Sequence, residues 1–242
     1  MKINDLIKSS VVVCGLLSPS AHASLVTGTA TLSINNSAFD AATGWYAEQF
    51  FGAGFNNTAI SGSSTGGTVY GTTDTLSDQL TVNTNSANIN NTSINRRVEA
   101  TTLDTGNLQV GQIGLSGAFL LDPDPTNTAY AGSYLTAYDF RVVDNSGQWF
   151  IQSYDKYFGY TDFLQLVNVT QSVDANGNLS LSGSLEFTSD GWGSLLGANT
   201  STIVGAFSLS PAAVPLPASV WMFGASLLGF VAARVRGMAQ SA

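Results

Sequence analysis

Four aromatic residues fall within seven positions, Tyr154, Tyr157, Phe158 and Tyr160, and Asp155, Lys156 and Asp162 stand among and beside them. Aromatic faces stack against the C–H side of a pyranose while carboxylates accept from its hydroxyls, so this pattern suits sugar binding. Trp149 and Trp192 are further rings that a fold can bring to the same place. The same rings also suit the end of a core, with each phenol reaching water. A second pattern, Asp174, Asn176 and Asn178, puts oxygen ligands at alternate positions as calcium loops do. Glu186 stands at position 13 of that run, where a bidentate acid is wanted at 12, and Gly177 comes too early; turn chemistry accounts for these residues equally well. A third candidate is a carboxylate pair of the glycosidase kind. Glu48, Glu99 and Glu186 are available for one, but nothing in the sequence pairs them. No catalytic residue, metal ligand or cofactor site is assigned, and the chain is not expected to be an enzyme.

The ends of the chain sharpen this expectation. Residues 1–23 have the order of a secretory leader: Lys2 and Lys8, an apolar run over Ser10–Leu17, a break at Ser18-Pro19-Ser20, and Ala21-His22-Ala23 as the cleavage site. Cleavage is expected between Ala23 and Ser24, with the Sec translocon and signal peptidase as partners. The only cysteine, Cys14, and the only histidine, His22, lie in the part that is lost. Disulfides, cysteine nucleophiles, Ser-His-Asp triads and zinc sites built on His or Cys are then excluded from the mature protein. Between the leader and the tail the bases are Arg96, Arg97, Arg141 and Lys156, against fifteen acids. Such a surface repels nucleic acid and anionic lipid.

The elements that must position these residues read as β-structure. Residues 24–210 are rich in Thr, Ser, Asn and Gly and are expected to form one passenger domain. Alternation of apolar and polar residues predicts strands at Leu25–Ile34, Thr68–Thr73, Gln79–Asn83, Arg97–Leu103, Leu108–Leu115, Ser133–Asp144, Gln148–Tyr154, Phe163–Thr170, Asn178–Thr188 and Thr202–Leu209. Asp144-Asn145-Ser146-Gly147 predicts a hairpin turn, and Gly183 a bend or bulge. Ala38–Phe51 does not alternate and predicts a short helix. Asn56–Thr75 and Asn83–Asn95 predict long surface loops, and Asp122-Pro123-Asp124-Pro125 and Asp190-Gly191-Trp192-Gly193 predict turns. About ten short strands separated by turn signals predict an antiparallel β-sandwich or jelly roll.

Residues 211–242 form a tail of three parts. Val214-Pro215-Leu216-Pro217-Ala218 comes first, then sixteen uncharged residues from Ala218 to Ala233, then an end (234–242) that carries Arg234 and Arg236. Sixteen helical residues span about 24 Å, short of a bilayer core of ~30 Å, so the segment predicts a marginal transmembrane helix over 218–233. The arginines on one side predict a cytoplasmic C-terminus. The order Pro-x-Pro, apolar helix, arginines resembles the PEP-CTERM sorting signal of Gram-negative bacteria, with Trp221-Met222-Phe223-Gly224 and Leu227-Leu228-Gly229 inside the helix. Leu216 stands where the family's name has Glu. The resemblance implies recognition by exosortase, a membrane-embedded cysteine protease, after transient anchoring in the inner membrane, and delivery to the cell surface or beyond. On this basis the passenger is expected to be a structural or matrix-associated protein of an exopolysaccharide-rich biofilm. The alternative is a surface-displayed carbohydrate-binding module resting on Tyr154, Tyr157, Phe158 and Tyr160, and a glycoside hydrolase is the third class.

Overall fold

The computed structural model describes residues 26–52, 67–90, 95–155 and 158–211. The leader residues Ala21, Ala23 and Ser24, the tail residues Val214, Pro215, Leu216, Pro217, Ala218, Arg234 and Arg236, and Tyr157 lie outside them. Among the described residues no helix is long and apolar enough to cross a membrane. The spanning helix expected over 218–233 is not among them.

Alternation of inward Ala30, Leu32 and Ile34 with Thr29, Thr31 and Ser33 makes Gly28–Asn35 the first strand, β1. Asn35 then caps a short helix, α1 (Asn36–Thr43), by accepting from the Ala38 amide at 3.1 Å, and Gly44 ends it in the left-handed conformation. The chain continues as β2 (Trp45–Phe51), β3 (Thr68–Val69), β4 (Thr75–Val82), β5 (Ala87–Asn90), β6 (Asn95–Val98) and β7 (Ile113–Pro123). A meander follows: β8 (Leu135–Asn145), β9 (Gln148–Asp155), β10 (Gly159–Val173) and β11 (Leu179–Glu186). A second short helix, α2 (Gly191–Leu196), leads to the last strand, β12 (Gly205–Pro211).

These strands make one closed ring. In order around it they are β1, β4, β7, β8, β9, β10, β11 and β12, each antiparallel to its neighbours. The ring shuts because β12 returns to β1, with Gly28 opposite Pro211 and Ile34 opposite Gly205. The expected antiparallel, mostly β architecture is present, but as an eight-stranded barrel and not as two facing sheets. Pairing of the first strand with the last removes the free edges that a sandwich keeps. Around the ring the strands follow chain order. The other strands belong to two excursions, α1–β2–β3 between β1 and β4, and the β5–β6 hairpin between β4 and β7.

Inward side chains fill the barrel. Phe50, Phe119, Phe140, Phe163, Phe187 and Phe39 form a chain of ring contacts with centroids 5.1–6.5 Å apart, and Trp192 joins it at Phe163, 5.3 Å away. Each fully buried ring or leucine contributes about 1.5–3 kcal/mol relative to an exposed one. Most outward positions on β1, β4, β11 and β12 are Ser, Thr and Gln, among them Thr31, Ser77, Gln79, Ser182 and Ser208. Because every strand is antiparallel to the next, α1, α2, the β9–β10 turn and the start of β8 gather at one pole. Gly28 and Pro211 sit at the other.

Several local expectations are met. Ser146 and Gly147, both with positive φ, close the β8–β9 hairpin, and the Asp144 carboxylate accepts from the Gly147 amide at 2.6 Å. Gly183 does face an irregularity, but the extra residue is on β10, where Asn168 and Val169 together stand opposite Gly183. Others are corrected. The helix expected over Ala38–Phe51 is confined to α1, and Trp45–Phe51 is a strand. Its alternation is hidden by a register shift at Glu48 and by burial of both Phe50 and Phe51. The Asn83–Asn95 loop contains β5. The turn at Asp190–Gly193 is the start of α2, which buries Trp192 and Leu196 and leaves Leu195 outside.

Candidate functional site

Tyr154 and Tyr160 are direct cross-strand partners on β9 and β10, so both side chains emerge on the outer face of the barrel. Their rings meet edge to face at 5.4 Å, and Tyr138 of β8 extends the row at 6.4 Å from Tyr154. The Arg141 guanidinium lies over the Tyr160 ring, 4.2 Å from its centroid. That guanidinium is held by Gln152, which accepts from Nε at 2.7 Å, and by Gln112, which accepts from an Nη at 3.0 Å; Gln152 in turn donates to Asp162 at 2.8 Å. The Tyr160 hydroxyl donates to the Arg97 carbonyl at 2.5 Å. Burial pushes the Tyr160 phenol well above its ordinary range, and the Glu99 and Asp139 carboxylates add to the shift. The face of Tyr160 under Arg141 is therefore occupied. The cluster joins β6 to the barrel wall, and its second attachment is the Asp139 carboxylate, which accepts from the Arg97 amide at 3.1 Å.

Phe158 is placed elsewhere. It stands in the β9–β10 turn, 80% exposed, on a groove of about 550 Å³ at the helical pole. Tyr134, Leu135 and Thr136 enter the groove from the start of β8, Thr161 from β10, and Asp190, Trp192 and Leu195 from α2 and the residue before it. Local sequence explains each contribution. Gly191, with φ +53°, allows α2 to begin against β10, where a Cβ would sit 2.4 Å from the Asp162 carbonyl oxygen. Trp192 then turns into the barrel end and packs on Phe163. The Asp190 side chain makes no capping bond to α2, although the residue stands at the N-cap. Tyr134 is 46% and Leu195 62% exposed. Large apolar side chains thus border a concave surface that also carries two threonines, a serine and a carboxylate, in the mouth of a barrel, a common place for ligand sites.

The remaining candidates are placed apart. The Asp174 carboxylate accepts from the Asn176 and Asn178 amides at 2.8 and 2.9 Å and from the Asn178 side chain at 2.8 Å. These bonds, the Asn178 amide first, hold its pKa below the usual aspartate value and close the β10–β11 turn. Glu186 accepts from Gln165 at 2.5 Å, and Glu99 pairs with Arg97 at 2.8 Å. Glu48 lies on β2 beside Asp122. Burial raises both carboxyls above their ordinary values, and the Asp122 charge raises Glu48 further. Among the described residues no group of three or more His, Cys, Asp or Glu is placed to hold a metal ion.

Sequence reasoning found Phe158 and named Trp192 as a possible neighbour; it missed Tyr134, Thr136, Thr161 and Leu195. Tyr134 follows Gly132 and Ser133 just ahead of a strand, and Leu195 is the outward member of a Leu-Leu pair; both were visible only as local features. None of the protein-family models, curated proteins or solved structures compared with the chain matches it.

Proposed function

We propose that this chain is an exported bacterial envelope protein whose tail is recognised by an exosortase-type membrane protease and whose barrel is a structural passenger in an exopolysaccharide-rich matrix. The observation that carries the reading is the order of the tail: Pro215-Leu216-Pro217, then an uncharged run over 218–233 that is short of the ~20 residues a comfortable helical span needs, then Arg234 and Arg236. The fold is compatible with tethering from one side. β12 delivers the chain to Pro211 at the pole where β1 begins, while the helices and the groove lie at the other. The outward Ser and Thr of β1, β4, β11 and β12 suit a hydrated matrix.

The test is mass spectrometry of the protein recovered from the host envelope and medium, with and without the host's exosortase. The expected mature form begins at Ser24 and lacks the helix after Pro217. Without exosortase, or with Pro215 and Pro217 both replaced by Ala, the chain is expected to keep Arg236 and stay in the inner membrane. Released protein that still carries Arg236 in the wild-type host would falsify the sorting role.

A further inference from the structure

We infer that the groove at the helical pole is a binding site for a neutral oligosaccharide. Three features of the lining lead there. First, Phe158 and Tyr134 offer large, solvent-exposed rings at 80% and 46% exposure, while Trp192 forms a buried floor at 6%. Second, Thr136, Thr161 and Asp190 supply hydroxyl and carboxylate groups across the same space. A saccharide has both faces such a lining needs: C–H surfaces to cover rings and hydroxyls to donate to oxygen. A purely apolar ligand would desolvate the threonines and the carboxylate without replacing their hydrogen bonds to water. Third, charge selects among saccharides. The described lining holds a carboxylate and no cation, and the whole chain carries a net charge of −8. Uronates, phosphates and sulfated sugars are repelled; neutral sugars are not. The volume, about 550 Å³, falls within the ~300–1,000 Å³ typical of small-ligand sites.

The site differs from the Tyr154–Tyr160 row. There the Tyr160 ring already lies beneath Arg141 and its hydroxyl is bound to Arg97, so that row builds the wall. The inference rests on the envelope reading only for where a polysaccharide would be met. The site itself is defined by residues of this chain, and its test does not depend on how the chain is exported.

The experiment uses the full chain, titrated by calorimetry and by tryptophan fluorescence with cellohexaose, maltohexaose and chitohexaose. Oligogalacturonate and pentalysine serve as anionic and cationic controls. At least one neutral hexaose is expected to bind and to shift the emission. Phe158→Ala and Tyr134→Ala, both at exposed positions, are expected to weaken that binding at least tenfold, and Asp190→Asn several-fold, with melting temperatures kept. Tyr154→Ala is expected to leave affinity within about twofold. The proposal is overturned if none of the three neutral hexaoses binds, if only oligogalacturonate or pentalysine does, or if the Phe158 and Tyr134 variants bind as tightly as the parent.

Discussion

Asn36 shows what a single buried polar side chain contributes here. It is fully buried at the start of α1, and its amide is completely used: Nδ2 donates to the Ala47 and Gly71 carbonyls at 2.9 and 2.8 Å, and Oδ1 accepts from the Ala47 amide at 3.0 Å. One residue therefore ties α1 to β2 and to the turn before β4. Buried donors and acceptors that lose a partner cost about 1–3 kcal/mol each. Asn36→Ala is expected to lower stability by about 2–4 kcal/mol in urea denaturation of the full chain. Asn36→Asp has nearly the same shape but can only accept when ionised, so both carbonyls face an anion. It is expected to be at least as damaging at pH 7 and to recover part of the loss in acid, where a protonated carboxyl donates again. Equal stability of Asn36→Asp and the parent at pH 7 would sink this account.

The β5–β6 hairpin is an element whose described attachment runs through one residue, Arg97. It lies outside the ring, and among the described residues Arg97 fixes β6 to the wall, with the Tyr160 hydroxyl on its carbonyl and the Asp139 carboxylate on its amide. Asp139 is fully buried at an irregular point of β8, with φ +50°, a conformation that Asp, Asn and Gly accept and β-carbon-bearing residues otherwise avoid. Asp139→Ala loses the bond and keeps the strain, and is expected to cost about 1–3 kcal/mol. Asp139→Asn keeps the acceptor and the tolerance, and is expected to cost less. In hydrogen exchange the Arg97 amide is expected to lose protection in Asp139→Ala, with the β9 and β12 amides unchanged; a uniform loss across the barrel would contradict a local latch. Elements of this kind also show what the sequence could reveal. The β8–β9 hairpin was legible because Asp144, Ser146 and Gly147 determine it locally, and alternation of apolar residues with Ser and Thr marked β1 and β12 but only the second half of β4, from Gln79. β2 was not, since the irregularity at Glu48 and burial of both faces at Phe50–Phe51 erase the period. Nor was the full extent of β7, whose residues 113–121 are all buried: β2 pairs along its edge, Phe51 and Tyr138 cluster with Ala118 and Leu120, and the chain after β6 lies against Gly114. The candidate site divided for a similar reason. Tyr154 and Tyr160 are paired by register and go to the wall, while Phe158, two residues before Tyr160, belongs to the turn and reaches the groove.

At the scale of the molecule, closure and charge act together. Nothing local in Gly28–Ile34 or Gly205–Pro211 announces that they pair, so a sandwich and a barrel share the same strand pattern. Two pairs of acids crowd each other, Asp40 with Asp124 and Glu48 with Asp122. Burial raises the carboxyls of Asp40, Glu48, Asp78 and Asp122 above their ordinary values, and neighbouring acids add to the shift at Asp40 and Glu48. For such groups the folded state binds protons more tightly than the unfolded one. Their contribution is fully present below the unfolded values, 3.8 for Asp and 4.5 for Glu, and is lost as pH rises through the folded ones. Asp124 and Asp174 act in the opposite sense. Their hydrogen-bonded carboxylates titrate below 3.8, so their contribution is present above that value and lost as pH falls through the lower, folded one. Reduced self-repulsion in a chain of net charge −8 favours the same acid side. The melting temperature is therefore expected to rise as pH falls from 7 towards about 4, and to fall again below that. Added salt at pH 7 is expected to recover part of the rise, because it screens the exposed share of the repulsion and leaves the desolvation of Glu48 and Asp78 in place. Glu48→Gln separates the two contributions. It removes one partner of the Glu48–Asp122 pair without changing shape, and is expected to raise the melting temperature at pH 7 and to flatten its dependence on pH. A melting temperature that falls steadily from pH 7 to pH 4 would mean that ionised carboxylates stabilise this barrel, and that the crowding of Glu48 against Asp122 is outweighed elsewhere in the ring.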